Sequence, residues 1–182
     1  YTGPGICPFL GTANTMGCLS EALGMMLPYG ALWPSSTSQR RFSARQTGAC
    51  VVELVRKGIC PSDIMTQGAL DNAVKLLASI GGSLNAMVHL PALAHELGLE
   101  VTWDKVADIT SHTPVVCNVV PNGDISCINL YKAGGVPAVL KTIEGDLDTS
   151  AMTVTGRTLG ENLDRDVPVD RSVIRTQDDS DS

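Results

Sequence analysis

Aromatic side chains are scarce in this chain of 182 residues: two Trp, three Tyr and two Phe make up 4% of it. That argues against a sandwich of aromatic-rich strands and, with 18 glycines, for closely packed helices and tight turns. No apolar run approaches the ~20 residues of a membrane-spanning helix. No basic segment leads into an apolar stretch near Tyr1, as a secretory leader would require. Positive charge is thin as well. Thirteen Lys and Arg face 19 Asp and Glu, for a net charge of −6, and only Arg40, Arg41 and Arg45 cluster, which argues against a nucleic-acid partner. No Cys-x-x-Cys or Cys-x-x-His spacing exists, so a self-contained zinc site is not expected. What is present is apolar: 43% of the residues are hydrophobic, enough for one compact core and too many for a disordered chain.

Charge and composition change along the chain. Seven acidic residues (Glu161, Asp164, Asp166, Asp170, Asp178, Asp179 and Asp181) crowd the last 22 positions with three arginines. Residues 1–176 read as one domain and residues 177–182 as an acidic tail or linker. Asp178, Asp179 and Asp181 lack the Gly and Glu of a calcium loop. The opening at Tyr1, without Met and directly into a Gly/Pro motif, suggests a piece of something longer.

Hydrophobic spacing outlines the elements. Met16, Leu19, Leu23 and Met26 recur at helical intervals after the capping-type start at Thr12, and Pro28 should stop that helix. A second helix is expected over residues 39–57 with Gly58 as its stop, and a new entry at Pro61-Ser-Asp63. Leu70, Val74 and Leu77 mark another apolar face, ending at Gly81-Gly82. Ser83 should cap the helix that carries Ala86, Leu90, Leu93 and Leu97. Residues 101–103, 115–120 and 152–155 read as short strands, with Asn122-Gly123 as a turn. Further helices are expected from Pro137 to Ile143 and over residues 159–163. The class is α/β, a helix-rich layered domain with a few short strands.

Six cysteines (Cys7, Cys18, Cys50, Cys60, Cys117 and Cys127) would suit a disulfide framework by number, but a core of the expected size needs no staples. Cys18 and Cys50 lie in helical patterns and Cys117 in a strand pattern, as small buried hydrophobes do. Cys60 and Cys127 flank turns. Cys7 differs, because Gly3-Pro-Gly5-Ile-Cys7-Pro8 is a loop running straight into a helix, where a thiolate is electrostatically favoured. Such a thiol suits a nucleophile or a soft-metal ligand. His89 and His95 are six apart on one helix and do not share a face well. His89 reads as a hydrogen-bonded core residue and His112 as a solvated one.

Gly5-Ile-Cys7-Pro-Phe-Leu-Gly-Thr-Ala-Asn-Thr-Met16, followed by Glu21-Ala-Leu-Gly-Met25-Met-Leu-Pro28, resembles the iron–sulfur dehydratases of dihydroxy acids and sugar acids. Asp71-Asn-Ala73, Gly81-Gly-Ser-Leu-Asn85 with His89-Leu90, Pro121-Asn-Gly123, Ala133-Gly-Gly-Val-Pro137 and Thr153-Val-Thr-Gly156 with Thr158-Leu extend the likeness. It runs in order over nearly all of residues 3–176.

The resemblance implies that Cys7 is one of three cysteines binding a cluster, [2Fe–2S] or alternatively [4Fe–4S]. It also implies a neighbouring Mg2+ that holds the substrate carboxylate and 2-hydroxyl. An iron would serve as Lewis acid on the 3-hydroxyl, a base would take the C2 proton, and the enol left by loss of water would become a 2-keto acid. Thr12, Asn14, Ser83 and Asn85 are then expected near the substrate. For each of them a plainer role, starting or capping a helix, is the alternative. The other two cluster cysteines, a carboxylated lysine beside an aspartate, and the acidic magnesium ligands belong to family segments expected before Tyr1 and after Ser182. So does the serine base. No catalytic residue is therefore expected within the segment itself, which reads as the later part of a dehydratase N-terminal domain. One thiolate cannot hold the cluster alone.

The family places Thr where Leu84 stands, and many members place Gly where Tyr29 stands. The implied protein is a cytoplasmic enzyme, or an organellar one in a eukaryote, that works as a homodimer on a small dihydroxy acid, with no nucleic acid and no membrane. Asn14 leans the reading toward branched-chain dihydroxy acids over sugar acids. Two other readings stay open at this point: a non-catalytic remnant or assembly module, and a thiol enzyme using Cys7 with His89 as base.

Overall fold

A computed structural model of the chain describes residues 7–179. The Gly3–Gly5 part of the Cys7 loop and Asp181 of the acidic tail lie outside the described residues. Among the described residues nine α-helices follow one another: α1 (Thr12–Ala22), α2 (Ser38–Lys57), α3 (Pro61–Ile64), α4 (Gln67–Ser79), α5 (Ala86–Glu96), α6 (Trp103–His112), α7 (Cys127–Lys132), α8 (Gly135–Thr142) and α9 (Leu159–Leu163), with a 3-10 turn at Glu144–Asp146.

Local chemistry sets most of these boundaries. The hydroxyls of Thr37, Thr66, Thr102, Ser126 and Thr158 each accept a backbone N–H from the first turn of α2, α4, α6, α7 and α9, filling a donor the helix leaves unpaired. Thr158 and Glu161 complete a reciprocal capping box, so α9 spans the expected residues. α2 ends at Gly58 as its spacing predicts.

The core is built on α1 and α4. Cys18 and Leu19 meet Leu70, Ala73, Val74 and Leu77, and α8 closes the group with Val136, Val139 and Leu140, all buried. Asn72 is buried within this layer, its amide donating to the Asp148 carbonyl (2.9 Å) and its carbonyl accepting the Asp148 N–H (2.8 Å). That exchange satisfies a polar group which would otherwise be costly inside.

Several expectations are corrected. α1 stops at Ala22 instead of reaching Pro28, because Gly24 turns left-handed (φ +75°) against the Met152 carbonyl, where a Cβ would sit only 2.7 Å away. Residues 101–103 are no strand: Thr102 caps α6 and Trp103 is its first residue. α7, unforeseen, begins at Cys127. No sheet forms among the described residues. Residues 115–120 and 152–155 instead contribute the isolated bridges Cys117–Ile174, Val119–Ile125 and Met152–Thr158. The helix-rich reading stands, and the layered arrangement with strands is not seen. Cys50 is only half-buried and His89 is exposed, because their helices present those faces outward.

The long α2 is unlike the rest. None of its 20 residues is buried, and Phe42, Val51, Val52 and Val55 are exposed. Arg40, donating to the Gly30 carbonyl (2.5 Å), and Cys50, donating to the Val154 carbonyl (2.7 Å), tie it to the body.

Candidate functional site

Residues far apart in sequence meet where the Cys7 loop enters α1. The loop is held by backbone pairing: the Leu10 N–H donates to the Val120 carbonyl and the Cys127 N–H to the Pro8 carbonyl, each at 2.8 Å. Asn14 does not cap the helix. From the first turn its amide nitrogen reaches back to the carbonyls of Cys7 and Phe9, both at 2.9 Å, and to the Cys127 sulfur at 3.4 Å. This one side chain therefore fixes the backbone that carries Cys7.

The Gly81–Asn85 turn docks on the same helix end. The Ser83 N–H donates to the buried Thr15 hydroxyl (3.0 Å), and the Asn85 amide donates to the Thr12 hydroxyl (2.6 Å). Gly82 passes so close to Thr15 and Leu77 that a Cβ there would lie 2.9 and 2.7 Å from their side chains. Asn122, after the Val120–Pro121 peptide, donates to the Gly81 carbonyl at 2.7 Å. Ser83 accepts the Asn85 N–H (3.3 Å) within the turn instead of capping α5, which starts at Ala86.

Thr12, Asn14, Ser83 and Asn85 are thus neighbours, with the half-buried Cys7 beside them. A cleft opens next to them, lined by Phe9, Gly82, Ser83, Leu84, Trp103 and Asn122 among others. Leu84, 80% exposed on its rim, faces water where the family places a hydroxyl. Thr15, Asn122 and Cys127 were not singled out from the sequence. Asn122 stood in the Pro-Asn-Gly motif and Thr15 in the Thr-Ala-Asn-Thr-Met16 motif, whereas Cys127 carried no mark beyond flanking a turn.

The thiols differ in environment. Burial pushes the Cys127 thiol up to about 11, against the opposing pull of the Asn14 amide, and Cys117 up to about 12. Cys18 is raised well above its ordinary value by burial, then by Glu21 and its sulfur neighbours. At neutral pH burial keeps these thiols in the protonated form. No three His, Cys, Asp or Glu side chains among the described residues come together as a metal site. Cys7 fits one soft ligand of a cluster, and only one.

Glu21 lies at the other end of α1. It is buried, and its two carboxylate oxygens accept the N–H groups of Tyr29 (2.9 Å) and Ala31 (2.8 Å). Burial raises its pKa to about 8, against those two backbone donors. Tyr29 sits in the left-handed region (φ +68°), which accounts for the glycine many family members carry at this position.

Over residues 1–162 the chain matches the family described as dihydroxy-acid/6-phosphogluconate dehydratase N-terminal, and it belongs to that family. Its relatives include the dihydroxy-acid dehydratase of Caldanaerobacter subterraneus subsp. tengcongensis, 45% identical over 96% of this chain and 32% of that protein. The dihydroxy-acid dehydratase of Ignicoccus hospitalis is 41% identical over 97% of this chain and 32% of that protein. For the dihydroxy-acid dehydratase of Methanobrevibacter smithii the identity is 43%, over 92% and 30%. The chain spans about a third of the length of these curated relatives.

Proposed function

We propose that this chain is part of an iron–sulfur, Mg2+-dependent hydro-lyase that converts a 2,3-dihydroxy carboxylate to a 2-keto acid, namely a dihydroxy-acid dehydratase of branched-chain amino-acid synthesis. The observation that carries the reading is the convergence of the family motifs on one helix end: Asn14 bonds the Cys7 loop, Asn85 bonds Thr12, Ser83 bonds Thr15 and Asn122 bonds Gly81.

In this reading Cys7 supplies one thiolate to the cluster. When bound, the cluster supplies a Lewis acid that eases departure of a hydroxide, which is a poor leaving group. The chain's own residues position that ligand. Asn14 locks the Cys7 and Phe9 carbonyls, and Thr12 and Asn85 present a paired hydroxyl and amide beside the cleft, suited to a polyhydroxy acid. The remaining cluster ligands, the base and the Mg2+ ligands belong to the other two-thirds of a family-length polypeptide, so the segment alone is inactive. Residues 1–176 form the later part of a helix-rich dehydratase N-terminal domain, and residues 177–182 a linker. Burial of Ile174, the last fully buried residue before that stretch, supports the boundary. Among the described residues, no helix is long and apolar enough to cross a membrane. A cytoplasmic site, or an organellar one in a eukaryote, and a homodimeric assembly complete the reading. The uncovered apolar residues of α2 support a larger assembly.

The test is made on the native polypeptide, isolated with an antibody to this segment. We expect a chain about three times this length, as the 32% coverage implies, with bound iron that Cys7→Ala abolishes and turnover of 2,3-dihydroxyisovalerate above that of pentonates. Preference for pentonates would move the assignment to sugar acids. A native chain of this length without iron would overturn it.

A further inference from the structure

Cys127 has no role in the reaction proposed above, yet it is the thiol that the Cys7 loop is built against. The Cys127 N–H pairs with the Pro8 carbonyl at 2.8 Å, so Cys7 is one residue removed from a directly bonded backbone contact. A single nitrogen, Asn14 Nδ2, lies 2.9 Å from the Cys7 carbonyl oxygen and 3.4 Å from the Cys127 sulfur. Cys7 and Cys127 are both free thiols. Their exposure differs. Cys127 is wholly buried and Cys7 half-buried, so an oxidant from solvent meets Cys7 first. Cys60 is exposed on the entry to α3, and Cys50 is engaged with the Val154 carbonyl. Cys18 and Cys117 are enclosed in the core.

We propose that Cys7 and Cys127 form a redox pair that closes to a disulfide when a hydroperoxide oxidises the protein. The Cys7 sulfur attacks the peroxide's outer oxygen, giving the sulfenic acid and releasing an alcohol, or water from hydrogen peroxide. The Cys127 sulfur then attacks the Cys7 sulfur, forming the S–S bond, and the sulfenic hydroxyl leaves with the Cys127 proton as a second water. Two thiols are oxidised by two electrons and one peroxide is reduced. The resolving thiol keeps Cys7 from passing on to the irreversible sulfinic acid, and a dithiol reductant restores both. The disulfide stands independently of the iron–sulfur reading. Combined with it, closure withdraws the cluster ligand, so cluster-bound and disulfide forms exclude one another.

The experiment is a thiol map. The reduced chain is freed of reductant, treated with hydrogen peroxide, unfolded, alkylated, digested and sequenced by tandem mass spectrometry, which separates Cys7 from Cys18 and Cys117 from Cys127. We expect a Cys7–Cys127 link as the dominant cross-link, lighter by two hydrogens and reversed by dithiothreitol. The same treatment in urea should scatter the links. In Cys127→Ser, Cys7 should instead accumulate as sulfinic acid; should that variant not fold, the wild-type map decides alone. A map in which Cys127 stays alkylatable while Cys7 is oxidised, in which Cys7 joins another cysteine, or in which Cys7 does not react overturns the pair. Each outcome is read from the cysteine map alone, and the iron–sulfur reading keeps its own test.

Discussion

α4 and α2 are both well-capped helices entered through a threonine, and they end in opposite circumstances. Eight of the 13 residues of α4 are buried, whereas none of the 20 in α2 is. Propensity and capping therefore make a helix at either place, and only the neighbours decide whether it is held by a core. α4 packs against α1, α5, α6 and α8. α2 leans on the body through a few polar contacts and leaves Phe42, Val51, Val52 and Val55 uncovered. The lesson concerns function as well: the Cys7 loop and the Gly81–Asn85 turn both bond to α1, so the candidate site is placed by the core-packed part of the molecule.

The comparison can be broken most strongly in the core. Leu70→Ala should cost about 2–5 kcal/mol in urea unfolding, the range for a buried Leu truncated in a packed interior. A loss under ~1 kcal/mol would mean the α1–α4 contact is not the mainstay. Next comes Asn72→Ala, expected to cost about 1–3 kcal/mol because the Asp148 N–H and carbonyl lose their buried partner.

Glu21 sharpens the contrast through pH. Its folded pKa, about 8, lies above its ordinary 4.5, so between those values the folded chain binds more protons than the unfolded one. Its contribution is fully present below pH 4.5, declines as pH rises, and is gone above about 8. Denaturant midpoints at pH 5 and 8.5 should show this fall, and Glu21→Gln should flatten it. Smaller still, Tyr29→Gly should raise stability by ~1 kcal/mol by relieving the left-handed backbone, read as a higher Tm. Last, Val55→Asp on α2 should change stability of this chain by no more than ~0.5 kcal/mol, and α2 amides should exchange with deuterium well before those of α4.

Much of this was legible in the residues. The capping threonines, Gly58 and the Leu70–Val74–Leu77 stripe each act within one turn of chain, so local pattern sufficed for α2, α4 and α9. The failures share a cause. Residues 101–103 and 115–120 are rich in β-branched side chains, but the first run is taken up by the cap and start of α6 and the second finds no adjacent strand, so it makes only bridges. α1 was read too long because its apolar spacing continues past Ala22, while Gly24 answers to the Met152 carbonyl, 128 positions away. His89 was read as core because a helix pattern does not say which face the fold covers.

By itself, then, the sequence determined most of the helical segments, the stop of α2 at Gly58 and the family, since these reside in short motifs whose chemistry is local. Tertiary structure alone decided that Asn14 would clasp the Cys7 loop instead of capping its helix, and that Thr15 and Asn122 would dock the Gly81–Asn85 turn. It also set Cys127 against the Cys7 loop and left α2 uncovered. Hydrogen bonds between positions 41 to 113 residues apart depend on how the α1–α4 core brings chain segments together, and no periodicity along the chain encodes that.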